Sequence, residues 1–368
     1  MSAPPRGDAP LNGDDRWMGA ALALAARGLG RVWPNPAVGC VVVRDGRVVG
    51  RGRTADGGRP HAETVALAQA GDAARGAVTY VTLEPCAHHG ATPPCAEALI
   101  AAGVARVVVA LRDPDPRVDG GGVAMLRAAG MAVVEGVREA QARRLQAGFL
   151  SRVTRGRPAV TLKLAATVDG RIATASGESR WITGPAARAH VHARRAVHDA
   201  VMVGGGTARA DDPMLTVRGM GAVPQPVRVV LSRGLDVDPA SALVATAREV
   251  PTWILHAEGD PAPFHAAGVE TIPCPAADGR LDLEAALAAL GARGLTRVYC
   301  EGGGTLAASL LRAGLVDRLE LYTAGAAIGA EGVPGLGAMG LAALADAPRL
   351  RFEEARGIGG DVLSVWAA

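Results

Sequence analysis

The chain has 368 residues, 49% of them apolar and only 3% aromatic, with a formal net charge of +3. That length suits two domains with cores resting on Ala, Val and Leu. The near-neutral balance, without any Lys/Arg-rich run, excludes the electrostatic footprint of a nucleic-acid binder, and no apolar run reaches the length of a membrane span. Five cysteines do not suggest a disulfide framework, and the N-terminus lacks the order of a signal peptide, so the expected compartment is the reducing cytoplasm.

Residues 1–13, rich in Pro, Gly and Asp, read as a loose tail. Helical periodicity begins near Asp15, runs through Met18, Leu22 and Ala25, and stops at Gly28 and Gly30. Val38 to Val43 and Val48 to Gly50 are short β-rich runs divided by Asp45-Gly46, a strong hairpin signal. His61 to Ala70 reads as a helix, Val78 to Leu83 as a strand running into Pro85-Cys86, Cys95 to Ala102 as the next helix, and Val104 to Leu111 as another strand. This alternation predicts an α/β layer fold over 14–150.

A basic, Gly/Pro-containing stretch at 151–158 reads as a linker. Alternation restarts in 159–368, with strands expected at Val160 to Leu164, Ala200 to Val203, Val227 to Leu231, Thr252 to His256, Arg297 to Cys300 and Arg318 to Tyr322. This second block carries enough strands for a sheet of its own.

Chemistry concentrates in one string of the first block: His61-Ala62-Glu63, then Pro85-Cys86, then Cys95. One imidazole and two thiolates make a tetrahedral zinc site with its fourth position free, where a metal can hold a water and lower its pKa. Glu63, two residues from the histidine, can move protons to and from that water. An H-x-E followed by P-C and a further Cys is the layout of zinc deaminases that act on nucleobases. The competing reading is a structural zinc site closed by His88 or His89. Cys40, Cys274 and Cys300 read as packed thiols.

The second block is less explicit. Gly302-Gly303-Gly304 follows a strand and opens a helical run at Leu306, so its amides could cradle a phosphate, although a plain tight turn fits equally. Gly204-Gly205-Gly206 presents a second such turn, and neither completes the G-x-G-x-x-G pattern of a Rossmann domain. Lys163 is the single lysine. It is expected to reach a substrate's pyrimidine or sugar oxygens, the alternative being a solvated strand end.

The strings Pro34-Asn35-Pro36-Ala37-Val38-Gly39-Cys40, His61-Ala62-Glu63 and Thr82-Leu83-Glu84-Pro85-Cys86 through Pro93-Pro94-Cys95 in the first half are similar to those of the bifunctional riboflavin-biosynthesis deaminase–reductase family. So are Lys163-Leu164-Ala165, Ser179-Arg180-Trp181, Ala210-Asp211-Asp212-Pro213 and Glu301-Gly302-Gly303-Gly304-Thr305-Leu306 in the second. Eight residues separate Cys86 from Cys95, as in that family, where many other deaminases have two. Ala87 departs from the serine expected there.

The resemblance implies two α/β domains. The N-terminal one would be a cytidine-deaminase-like three-layer α/β/α domain, the C-terminal one dihydrofolate-reductase-like. It implies Zn2+ and NADPH as cofactors, a small phosphorylated pyrimidine as substrate, and a homodimer or higher homo-oligomer without nucleic-acid or membrane partners. The activities implied are hydrolytic deamination of 2,5-diamino-6-(5-phosphoribosylamino)pyrimidin-4(3H)-one, then NADPH-dependent reduction of the ribosyl side chain. The alternative is a deaminase of another amino-pyrimidine with a degenerate second half.

By the same resemblance, His61, Cys86 and Cys95 hold zinc and Glu63 carries protons. Asn35 would position the pyrimidine, because an amide both donates and accepts. Ala165, Trp181, Thr207, Asp211, Ser232, Gly303, Gly304, Thr305 and Leu306 would line the NADPH site. Ser179, Arg195, Leu215, Arg218 and Glu301, with Lys163, would bind the substrate, the arginines suiting its phosphate.

Overall fold

The computed structural model describes residues 13–90 and 93–368, and the expected tail lies outside them up to Gly13. The chain divides into two compact units, 1–156 and 157–368.

The first unit runs α1 (Asp14–Ala26), β1 (Gly39–Arg44), β2 (Arg47–Arg53), α2 (Ala62–Ala70), β3 (Val78–Val81), α3 (Cys95–Ala101), β4 (Arg106–Val109), α4 (Gly121–Ala128), β5 (Ala132–Glu135) and α5 (Glu139–Arg155). Its sheet has the order β2-β1-β3-β4-β5. β1 is antiparallel to β2, across the Asp45-Gly46 turn, and to β3, while β3, β4 and β5 are parallel.

Glycines decide which helix sits on which face. Cys40 pairs with Gly52 and Val42 with Gly50, so these four residues share one face, and Gly39 faces the other way. A Cβ on Gly50 would stand 2.1 Å from the Ala66 carbonyl oxygen of α2, and one on Gly39 would stand 2.0 Å from the Ala21 carbonyl oxygen of α1. The two helices therefore lie directly on opposite faces, which makes three layers. Met18, Leu22, Val41, Val42, Val81, Val107 and Leu126 are buried in the core between them. α1 is further tied by Asp14, which takes hydrogen bonds from Tyr80 (2.9 Å) and Arg106 (2.8 and 3.0 Å).

α5 continues to Arg155 and ends at Gly156, whose φ of 70° is the left-handed conformation that glycine adopts freely. The stretch read as a linker is thus helical over 151–155.

The second unit begins with β6 (Ala159–Thr167), β7 (Arg171–Ala173), α6 (Pro185–Arg195), β8 (Ala200–Gly204), α7 (Gly205–Asp211), β9 (Val227–Leu231), α8 (Ala242–Ala245), β10 (Thr252–His256), α9 (Ala262–Ala267) and β11 (Glu270–Pro273). It continues with β12 (Ala276–Ala277), β13 (Arg280–Leu281), α10 (Leu283–Ala292), β14 (Arg297–Cys300), α11 (Gly304–Arg312), β15 (Arg318–Ala324), β16 (Val333–Pro334), β17 (Arg351–Ile358) and β18 (Asp361–Ala367).

Its main sheet has the order β11-β10-β9-β8-β14-β6-β15-β18-β17, parallel from β11 to β15 and antiparallel through β18 and β17. From β8 the chain moves outward through β9, β10 and β11, then returns at β14 to lie between β8 and β6. In open parallel sheets such a reversal leaves a crevice beyond the C-terminal strand ends, where ligands bind. β9 and β10 are buried along their whole length, which is why they read as near-continuous apolar runs.

Candidate functional site

In the first unit, three donors converge where two helices begin. His61 is the N-cap of α2, Cys95 is the first residue of α3, and Cys86 lies in the segment that follows β3. His61 Nδ1 stands 3.3 Å from Cys95 Sγ and 3.7 Å from Cys86 Sγ, and the three donor atoms lie within 4.8 Å of one another. The amide of Cys95, at the start of α3, donates to Cys86 Sγ at 3.2 Å, the orientation that favours a thiolate. The Cys95 thiol bonding to it, with His61 and that amide, holds the Cys86 thiol down to about 4 against the effect of burial. One nitrogen and two sulfurs at these separations fit a zinc ion and leave its fourth position open.

Glu63 is buried, 3% exposed, and desolvation pushes its carboxyl up to about 7. His89 turns to Glu97, 3.0 Å away, and among the described residues neither it nor His88 joins the three-donor group. Asn35 is half-buried and packs so closely on Gly58 that a Cβ there would stand 1.9 Å from its Nδ2.

The segment bearing Cys86 is fixed by Glu84, a residue with no role assigned in the sequence reading. Its buried carboxylate accepts from the amides of Asp113 (3.3 Å), Gly120 (3.1 Å) and Val123 (3.1 Å). The Thr82-Leu83-Glu84-Pro85-Cys86 string contains it, but its partners lie 29 to 39 residues downstream.

In the second unit, a cavity of about 1070 Å³ opens at the strand ends. Lys163, Ala165, Ser179, Thr207, Asp211, Glu301 and Gly303 through Leu306, all residues that the resemblance assigns to cofactor or substrate, are among its lining. The two glycine turns meet there, with the Gly303 amide donating to Thr207 Oγ1 at 3.1 Å. Gly304 has no room for a side chain, since a Cβ would stand 2.9 Å from the Pro334 carbonyl oxygen. A cavity of this volume, walled in part by glycine backbone, has room for a dinucleotide.

Arg195 stands behind Glu301, bonding both of its oxygens at 2.5 and 3.0 Å, and Lys163 Nζ is 3.8 Å from the same carboxylate. Burial alone would raise the Glu301 carboxyl, but Arg195 and then Lys163 hold it below its ordinary value. A buried carboxylate, a guanidinium and the ammonium of the chain's single lysine therefore form one charged cluster at the cavity wall.

Other expected residues lie off the lining. Trp181 is 68% exposed, with the Arg188 guanidinium 4.6 Å from its ring centroid. Ser232 is buried at the end of β9 and bonds Asp236. Leu215 is buried, with a φ of 52°, and Arg218 is exposed, its amide donating to His192 Nδ1. The hairpin of β12 and β13 and the first turn of α10 also line the cavity, with Ser309 and Arg312 of α11, and nothing in their sequence signalled it.

Comparison with known proteins agrees with both halves. Residues 11–111 match the model of the cytidine and deoxycytidylate deaminase zinc-binding region, and residues 158–364 match that of the RibD C-terminal domain. The riboflavin biosynthesis protein RibD of Escherichia coli is 44% identical over 95% of this chain and 98% of its own length. That of Bacillus amyloliquefaciens is 41% identical, with 95% of each chain covered. The Acinetobacter baumannii RibD structure superposes with a TM-score of 0.89 at 38% identity, covering 97% of this chain and 99% of its own. A deaminase/reductase structure from Thermotoga maritima gives 0.86 at 34%, with the same coverage. With a zinc-type donor set in one unit, a glycine-walled cavity in the other and relatives matching over 95% or more of its length, the chain belongs to the RibD family of bifunctional deaminase–reductases, enzymes of riboflavin biosynthesis that use zinc and NADPH.

Proposed function

We propose that the chain performs two successive reactions on one phosphorylated pyrimidine. Water first replaces the 2-amino group of 2,5-diamino-6-(5-phosphoribosylamino)pyrimidin-4(3H)-one, releasing ammonia. The ribosyl group is then reduced to a ribityl chain, for which NADPH would supply the hydride, giving 5-amino-6-(5-phosphoribitylamino)uracil. The observation that carries this reading is the presence, in one chain, of the His61/Cys86/Cys95 donor set beside buried Glu63 and of the Lys163–Glu301–Arg195 cluster on a dinucleotide-sized cavity. The Thermotoga maritima relative, named a diaminohydroxyphosphoribosylaminopyrimidine deaminase/5-amino-6-(5-phosphoribosylamino)uracil reductase, supports the choice of substrate.

In the deaminase, His61, Cys86 and Cys95 hold the zinc, which supplies a Lewis acid and a nearby water of lowered pKa. Glu63 accepts a proton at its carboxylate and returns protons to the ring nitrogen and the departing amine. Asn35 presents an amide to the edge of the pyrimidine. Burial of Glu63 keeps bulk water from competing for its proton.

In the reductase, the glycine turns admit the dinucleotide backbone close to the sheet. Ala165, Thr207, Asp211 and Gly303 through Leu306 hold it, with Trp181 and Ser232 nearby. Lys163, oriented by Glu301, reaches the oxygens of the substrate, while Ser179, Arg195, Leu215 and Arg218 complete that end. Hydride transfer then depends mainly on alignment of the cofactor and sugar carbons. The charged cluster and the family match over 158–364 favour this reading over a degenerate second half.

All five cysteines are free of disulfides, which supports a reducing cytoplasm, and the family resemblance supports a homodimer. Among the described residues no helix is long and apolar enough to cross a membrane. The function is tested by following ammonia release from the diaminopyrimidinone before NADPH is added, and NADPH oxidation afterwards. Release followed by oxidation is expected, and oxidation without prior release would contradict the order of steps.

A further inference from the structure

Leu215 and Arg218, both expected at the substrate, lie between α7 and β9 on a segment that belongs to no helix or strand. Leu215 has a φ of 52°, a left-handed conformation that a residue with a side chain keeps only when its surroundings hold it. The hold comes from the next three residues. Val217 gives both backbone groups to Gln225, its amide donating to Oε1 at 2.7 Å and its carbonyl accepting from Nε2 at 3.3 Å. The groups on either side of it bond to α6 instead, the alternation of an extended strand. The Thr216 carbonyl accepts from Arg195 at 2.8 Å, and the Arg218 amide donates to His192 Nδ1 at 3.2 Å. His192 and Arg195, three residues apart on one face of α6, thus serve the segment as a neighbouring strand would.

The two differ in what they fix. Arg195 divides itself between this segment and Glu301, whereas the His192 bond falls on Arg218 itself. Arg218 is exposed, and among the described residues its guanidinium makes no hydrogen bond or ion pair, so its backbone decides where the charge stands. Accepting at Nδ1 requires that atom to carry no proton. Burial, then Arg195 and Arg218, hold the His192 ring below its ordinary pKa, against Glu301 and the Thr216 carbonyl, which act to raise it. The ring is therefore neutral near pH 7, with its proton on Nε2.

We propose that His192 is a positioning residue for the reduction: by accepting the Arg218 amide it sets where that guanidinium meets the phosphate of the substrate. This rests on the reading of the second unit as a reductase with Arg218 at its substrate.

The test is the kinetics of NADPH oxidation by the full zinc-loaded chain, with the deaminated pyrimidine as the varied substrate. His192→Leu keeps an apolar side chain and removes the acceptor, while His192→Asn puts an amide oxygen near the place of Nδ1. In His192→Leu the KM for the deaminated pyrimidine rises roughly 3- to 10-fold, the size of one hydrogen bond. Its kcat and its KM for NADPH stay at the wild-type values, and His192→Asn restores most of the loss. In an Arg218→Ala background His192→Leu adds little, because both act through one contact. An unchanged KM or a fallen kcat in His192→Leu, no rescue by His192→Asn, or a fully additive effect with Arg218→Ala would overturn the assignment and leave the reductase reading standing. A wild type that does not oxidise NADPH, or a KM unmoved by Arg218→Ala, would overturn both.

Discussion

A Cβ on Gly52 would stand 2.3 Å from the carbonyl oxygen of Ala62, so β2 and the first turn of α2 touch backbone to backbone. That contact sets the depth at which His61 and Glu63 are carried, since both sit at the start of α2. A methyl group there meets peptide atoms that cannot swing aside. Gly52→Ala is expected to destabilise the first unit by about 1–3 kcal/mol and to reduce bound zinc. Urea melts with metal analysis check this, and wild-type values for both would contradict it.

Glu84 ties the Cys86 segment to the loop and helix that follow β4 through three backbone amides. Removing the carboxylate leaves those donors without their acceptor, at about 1–3 kcal/mol for each buried group left unpaired. Glu84→Ala is expected to lose several kcal/mol in chemical denaturation, and Glu84→Gln, which keeps one oxygen, to lose less. Equal stability of the two variants would contradict the bonding described.

Asp113 is buried, and desolvation raises its carboxyl to about 6. The folded state then holds a proton that the unfolded chain has released, so this group lowers stability as pH rises from about 4 to about 6. The cost above that window is up to about 3 kcal/mol, by the equivalence of one pKa unit to 1.36 kcal/mol. Asp113→Asn keeps the oxygen that accepts from the Asp115 amide. It is expected to match the wild type near pH 4 and exceed it in stability at pH 8. A constant difference across that range would contradict the burial argument.

Glu301 neutralises Arg195 and faces Lys163 at the cavity wall. Glu301→Ala strands a buried guanidinium, a change that costs about 3–5 kcal/mol in comparable pairs. Glu301→Gln is the milder variant. It is expected to lose NADPH oxidation while ammonia release persists, and unchanged reductase kinetics would contradict a role for the cluster.

Much of this was legible beforehand, for identifiable reasons. β9, β10 and β14 have the bounds expected for them, because strands of a covered parallel sheet carry short, mostly apolar stretches between breakers. The Asp45-Gly46 hairpin and the starts of α2 and α3 were equally visible from local turn and helix signals. What escaped depends on contacts distant in sequence. Glu84 finds its amides on another segment, Gly50 and Gly52 matter only because α2 lies on them, and α5 runs through Arg155 despite a loop-like composition. Local sequence also gave no sign that residues 277–284 would form part of the cavity wall.

The measurement closest to the central claim is a two-stage assay of the full zinc-loaded chain and of Glu63→Ala, with either the diaminopyrimidinone or its deaminated product supplied. The account predicts that the wild type releases ammonia before NADPH is added and oxidises NADPH afterwards. Glu63→Ala should release no ammonia from the diaminopyrimidinone yet oxidise NADPH normally when given the deaminated product. Loss of both activities in a folded Glu63→Ala, or ammonia release undiminished by that substitution, would contradict two separate sites in one chain.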